Sequence, residues 1–318
     1  VESEIIQPQR RNVWFVLRQI CCFMLLLGIA GVFFFSGWAK LKALEPFSWN
    51  IIDVLPVGIT TASVLAHVFI GLEWAIGGWL ATHLFLRKIT YKATLGLLAL
   101  FTIYLLVLLA HQGNNGNCGC FGEMQPMKPV PSIIKNIILA VATLILWLLY
   151  PARPYRNSMY VALLVTGVAF TAPFVLEPVS IHGSGAVAHE PVVLDSLYTM
   201  GHPPPAIDLR RGKHIICFFS TTCPHCIKGA YLVQILHRQY PQFPIFMVLS
   251  GGYNAQSDFL EETKASQVPH TLLMNTKAFT AMAGPYVPSI LWVNNSIVER
   301  KTYYTELEPA TIKAWLGK

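Results

Sequence analysis

The sequence predicts an α-helical transmembrane bundle, four spans plus a fifth linking span, followed by a water-soluble α/β domain. Two observations give the first half: 54% of the 318 residues are hydrophobic and only 12% charged, and the long uncharged runs lie ahead of residue 179. The third gives the second half. Residues 179 to 318 are mixed, charged and Pro-rich, and there a strand-like run, Ile215-Ile216-Cys217-Phe218-Phe219, leads through Cys223-Pro224-His225-Cys226 into a helical pattern at Ile227. The composition changes near Glu177, which divides the chain into a membrane domain over 1–150, a fifth helix and flexible linker over 151–190, and a soluble domain over 191–318.

Crossing a hydrocarbon core of about 30 Å takes roughly 20 apolar residues. Five stretches meet this, near 15–38, 57–84, 94–111, 132–150 and 159–177. Arg10, Arg11 and Arg18 precede the first, Arg87, Lys88 and Lys92 follow the second, and Arg153 and Arg156 follow the fourth, all on one side. The positive-inside tendency makes that side cytoplasmic, which puts the soluble domain in the periplasm of a bacterial inner-membrane protein. Lys40 and Lys42 count against this orientation, because they fall outside. The first run lacks a small-residue cleavage site and reads as a retained anchor.

The net charge of +7 does not indicate a nucleic-acid partner. Residues 1–158 carry 12 Lys and Arg against 6 Asp and Glu, residues 159–318 carry 11 against 10, and the soluble half has no basic patch interleaved with aromatics. The implied partners are the lipid bilayer and periplasmic proteins bearing thiols or disulfides.

In the soluble half the predicted order is strand 214–219, helix 224–239, strand 244–249, helix 257–265, a strand-like run His270 to Met274, a short helix 277–283, strands 289–293 and 297–303, and a closing helix Glu308 to Leu316. Cys223 and Cys226 stand at a helix N-terminus. The free N–H groups there and the imidazole of His225 favour a thiolate, so Cys223 is the expected attacking sulfur and Cys226 the resolving one. A zinc ribbon would need a second C-x-x-C, and haem attachment would need His where Ile227 stands. Cys217, inside the strand, reads as a small core residue.

This order of elements around C-x-x-C resembles the thioredoxin fold. Tyr286-Val287-Pro288-Ser289-Ile290 strengthens the resemblance, since Pro288 matches the cis-proline that such proteins place beside the active-site disulfide. His225 and Val287 resemble the periplasmic disulfide oxidases of the DsbA type, although the large helical insertion of that family is absent.

In the membrane half, Asn117-Cys118-Gly119-Cys120-Phe121-Gly122 lies in a predicted outer loop. A disulfide across one residue closes a strained ring, and strain makes a pair more oxidising. Metal binding and a loop staple remain open alternatives for these two thiols. With Phe35-Ser36-Gly37-Trp38-Ala39-Lys40-Leu41 and an intramembrane glutamate, the loop resembles the MauE branch of the DoxX-like membrane family over about residues 15–150. That resemblance implies a four-span protein of disulfide maturation and a place near the quinone pool. Glu73, expensive inside a span, is either a proton or quinone-site group or a buried hydrogen-bonding group. Cys21 and Cys22 sit inside the first span and read as packing residues, or as an inner relay at a depth that overlaps that of Glu73.

The linker, Pro178 to Glu190, reaches at most about 45 Å, enough for Cys223/Cys226 to meet Cys118/Cys120 of the same chain. The sequence therefore predicts a membrane-anchored thiol:disulfide oxidoreductase in the oxidase direction, with no tightly bound cofactor, that passes electrons to Cys118/Cys120 and on to quinone. Two alternatives stay open: a reductase fed through Cys21/Cys22, and a non-catalytic metal-handling or assembly factor.

Overall fold

The computed structural model describes residues 13–112, 128–150, 158–179 and 186–317. They form two compact units, the helical one ending at Val179.

The helical unit contains α1 (Val13–Lys42), α2 (Leu44–Val54), α3 (Ile59–Ala81), α4 (Tyr91–Gln112), α5 (Pro129–Leu149) and α6 (Ser158–Leu176). All but α2 belong to segments long and apolar enough to cross a membrane: Trp14–Lys42, Ile59–Ala81, Leu86–Ala110, Pro129–Leu149 and Ser158–Leu176. These five match the predicted spans. The short α2, which has no exposed residue, was not foreseen, because Glu45, Pro46, Asn50 and Asp53 interrupt its apolar pattern. Proline is tolerated there because it falls in the first helical turn, where its missing N–H has no partner to lose. Between α3 and α4 the chain turns through His83 and Phe85 with positive φ (57° and 41°) and a π-helical turn, Leu86–Thr90. Glycines on α1 and α3 let these two helices approach closely. A Cβ at Gly37 would overlap the Trp74 indole, and one at Gly77 would press on the Ala30 carbonyl and the Phe34 ring.

The sheet unit begins earlier than the sequence suggests. Ala186–Pro191, read above as linker up to Glu190, is strand β1, paired antiparallel with the last strand. Its largely exposed side chains give no alternating pattern, so only the backbone ladder reveals it. After α7 (Asp195–Met200) come β2 (Gly201–His202), β3 (Lys213–Ser220), α8 (Pro224–Gln239), β4 (Ile245–Ser250), α9 (Tyr253–Thr263), β5 (His270–Leu273), α10 (Thr276–Ala283), β6 (Ser289–Asn294), β7 (Ile297–Thr302) and α11 (Pro309–Leu316). The sheet order is β1-β7-β6-β3-β4-β5-β2. β3, β4 and β5 run parallel, while β6 is antiparallel to β3 and pairs with β7. A β-α-β crossover that continues into an antiparallel hairpin and a closing helix is a thioredoxin-type arrangement, with β5 as an added parallel strand. Ile215 to Phe219 on β3 are fully buried, as expected for a central strand covered on both faces. One face packs Phe218 on Phe279 of α10, and the other packs Phe219 against Gly229 of α8.

Candidate functional site

The end of β3 delivers the thiol pair. Cys223 has extended backbone and caps α8, and its carbonyl accepts from the N–H groups of Cys226 (3.0 Å) and Ile227 (3.1 Å). Pro224 fills the first helical position, where a missing N–H costs no hydrogen bond. The N-terminal end of the helix therefore lies at Cys223, which is partly exposed and whose sulfur takes no hydrogen bond from the first-turn N–H groups. Cys226, one turn on, is fully buried, and its sulfur accepts from the Ser220 N–H at 3.3 Å. Burial pushes the Cys226 thiol far above the usual cysteine range, and its hydrogen bond to Cys223 adds to this against the opposing Ser220 bond.

Val287 carries the other wall. The Val287–Pro288 peptide is cis, Pro288 is buried, and the Val287 carbonyl lies 3.9 Å from Cys223 Sγ. His225 is exposed on the first turn of α8. Cys223, Cys226, His225 and the Val287–Pro288 corner thus share one end of the sheet. The sequence did not reveal the Ser220 N–H or the Val287 carbonyl, because backbone groups leave no mark in residue identity. Cys217 is fully buried on β3, and burial alone raises its thiol well above the ordinary range.

In the helical unit Glu73 is bonded to a neighbouring helix. Its Oε1 accepts from Lys40 Nζ at 2.7 Å and from Ser36 Oγ at 3.0 Å, and Lys40 also donates to Ser36 Oγ at 2.6 Å. The Lys40 and Glu73 side chains are 4% and 2% exposed, and the Lys40 ammonium sits 5.1 Å from the Phe101 ring centroid and 5.7 Å from that of Phe47. This corrects the reading of Lys40 as an outer-loop charge: the carboxylate draws it into the bundle. Among the described residues Glu73 Oε2 has no hydrogen-bond partner. His67 lies apart from this pair, its ring nitrogens 2.7 Å and 2.6 Å from the carbonyl oxygens of Ser63 and Glu177.

Cys21 is exposed on α1 whereas Cys22 is buried beside Leu26 and Tyr91, so adjacent sulfurs face different surroundings. Lys40, which holds Glu73, lies about 27 Å from Cys22 along α1 at about 1.5 Å per residue. The expected overlap in depth between these thiols and Glu73 is therefore not found. Cys118 and Cys120 lie outside the described residues. Among the described residues no group of three or more His, Cys, Asp or Glu is gathered as a metal site.

Residues 18–151 match the model of the family described as methylamine utilisation protein MauE. Protein TlpB of Flavobacterium psychrophilum is 26% identical over 319 residues, covering 84% of this chain and 87% of that protein. Solved structures similar to the sheet unit include a thiol:disulfide interchange protein from Bacteroides sp. (14% identity, 43% of this chain and 92% of that one, TM-score 0.31). Another is the thioredoxin domain of a thiol-disulfide oxidoreductase from Bacteroides vulgatus (17% identity, 42% of this chain and 96% of that one, TM-score 0.29). The chain joins a MauE membrane domain to a thioredoxin-type domain.

Proposed function

We propose that this thiol:disulfide oxidoreductase-like membrane protein oxidises periplasmic client proteins through Cys223 and Cys226 and is re-oxidised by Cys118 and Cys120. One observation carries the reading: of two thiols one turn apart at a helix start, one is accessible and faces a backbone carbonyl, and the other is buried. A client thiolate attacks the Cys223 sulfur of the Cys223–Cys226 disulfide, forming a mixed disulfide and releasing Cys226, which takes up a proton because its burial disfavours the thiolate. A second client thiolate attacks the client sulfur of that bond, forming the client disulfide and freeing Cys223. Two electrons then reside in the Cys223/Cys226 dithiol. Exchange with a Cys118–Cys120 disulfide passes them to the membrane domain. His225 adds an exposed imidazole beside Cys223, and Pro288 shapes the carbonyl wall.

Quinone remains the chemical class of terminal acceptor that the family resemblance implies, and no step is assigned to it at Glu73. Lys40 and Ser36 already occupy one carboxylate oxygen, and the other is buried with no hydrogen-bond partner among the described residues. The mechanism of this chain's own residues therefore ends at Cys118/Cys120, with Glu73 as the buried partner of Lys40. The clustering of basic residues beside the first, second and fourth spans of the sequence supports a bacterial inner-membrane location with a periplasmic sheet domain. The burial of Lys40 removes one of the two charges that argued against that orientation.

The reading is tested with Cys226→Ser in cells. Mixed disulfides between clients and Cys223 are expected to accumulate, and none with Cys223→Ser. A Cys223/Cys226 potential well below about −270 mV would overturn the oxidase direction. Stoichiometric metal in the purified chain, with no mixed disulfide in any variant, would overturn exchange altogether.

A further inference from the structure

The sheet topology gathers more than the thiols at one edge. β3, β4 and β5 are parallel and end there, and β2 and β6, antiparallel to their neighbours, begin there with Gly201 opposite Leu273 and Ser289 opposite Phe218. Residues just beyond β4 and β5, and at the start of β2, must therefore crowd the end at which Cys223 caps α8. They are Tyr253, Met274, Met200 and His202. Tyr253, Met274 and Met200 are 56%, 47% and 43% exposed, unusual for such large apolar side chains clustered together. They form one continuous rim. The His202 and Tyr253 rings lie 6.4 Å apart, and Asn275, next to Met274, reaches Met200 Sδ with its amide at 3.6 Å. The rim also abuts the thiol segment: Thr221 donates to the Ser250 carbonyl at 3.2 Å, and Gly251 lies so close to Thr221 that no Cβ would fit.

We infer that Met200, His202, Tyr253 and Met274 form a docking rim for the apolar, extended polypeptide segment that flanks the reacting cysteine of a client. This rests on the proposed exchange at Cys223. A client sulfur that bonds to Cys223 carries its own chain with it, and because the rim is continuous with the Cys223 segment, residues on one side of that cysteine lie across the rim. None of the four rim side chains bears a fixed charge, which selects against ionic segments. Methionine suits a surface that meets many sequences, since its unbranched, polarisable side chain adapts to differently shaped partners.

The test uses the reduced full chain in lipid nanodiscs and two single-cysteine peptides, each capped as a mixed disulfide with thionitrobenzoate. One peptide has Leu, Val and Phe around its cysteine, the other Ser and Gly. Attack by Cys223 forms the protein–peptide disulfide and releases coloured thionitrobenzoate, which gives the rate. The apolar peptide is expected to react about tenfold faster, the effect of covering roughly 50–60 Å² of apolar surface. The triple variant Met200→Ser/Tyr253→Ser/Met274→Ser is expected to abolish that preference and to keep its rate with oxidised glutathione within about twofold of the parent, since glutathione is too small to span the rim. Because all three side chains are exposed, the melting temperature should hold. The proposal is overturned if the parent shows no preference or if the triple variant keeps it. A chain inert toward all three probes, glutathione included, would instead overturn the reading of Cys223, and the rim with it.

Discussion

Cys223 and Cys226 differ in the one property on which their proposed roles rest, access to solvent. Collapse of a mixed disulfide back to Cys223–Cys226, the reverse of the first proposed step, needs the Cys226 thiolate, and burial holds that thiol protonated through the neutral range. Its rate with a pre-formed mixed disulfide should therefore rise about tenfold per pH unit, without a plateau, from pH 6 to pH 9 in stopped-flow measurements. A plateau near neutrality would mean that Cys226 ionises there. The motif was legible because its four residues are contiguous. The Lys40–Glu73 pair was not, because 33 positions separate its members and only the packing of α1 on α3 joins them. Removing one partner strands the other charge in an apolar bundle. Lys40→Met or Glu73→Ala alone should lower stability by about 3–5 kcal/mol in detergent unfolding, and the double variant should recover much of that loss. Additive losses would show that the two charges act separately.

Among the elements, α8 and α11 show how the sheet positions the thiols. Gly229 lets α8 lie flat on β3. A Cβ there would sit 2.9 Å from the Phe219 ring and 3.3 Å from Tyr304. Gly229→Ala should then cost about 1–3 kcal/mol by overpacking and shift the Cys223/Cys226 potential, both measurable in the purified chain. α11 is anchored through Glu299, which accepts from Trp315 Nε1 at 2.6 Å and Asn294 Nδ2 at 2.8 Å. The Asn294 bond, then the Trp315 bond, hold the Glu299 carboxyl below the usual carboxylate range. A depressed carboxylate contributes stability that is present above the unfolded-state value of about 4.3 and is lost as pH falls through the lower folded-state value. The acid arm of the unfolding profile should therefore shrink in Glu299→Gln. The β3-α8-β4 unit and the β6-β7 hairpin were readable from apolar runs and turn residues. β1, β2 and α2 were not: β1 and β2 show no buried face of their own, and the polar residues of α2 are buried by tertiary packing that sequence periodicity does not encode. α9 also starts earlier than its pattern suggests, at Tyr253, because Gly251 and Gly252 turn the chain tightly after β4.

Across the whole molecule, the division into an apolar helical half and a mixed α/β half was visible in composition alone, since bilayer and water impose opposite residue choices. The close approach of α1 and α3 was not visible, because Gly37 and Gly77 gain meaning only beside Trp74 and Phe34. Gly37→Val should displace the Trp74 indole, weaken its bond to the Phe34 carbonyl and lower the unfolding temperature of the full chain in detergent. Unchanged unfolding would mean that the two helices can separate without loss.

The pairing of β1 with β7 shortens the leash of the redox head. With Ala186 already stitched into the sheet, the stretch from Val179 to Ala186 spans at most about 24 Å however it runs, roughly half the reach that the sequence suggested. On the proposed exchange, that length caps how far Cys223 can be carried from the end of α6. A shortened tether would then slow transfer between Cys223/Cys226 and Cys118/Cys120 while leaving the attack on clients unchanged.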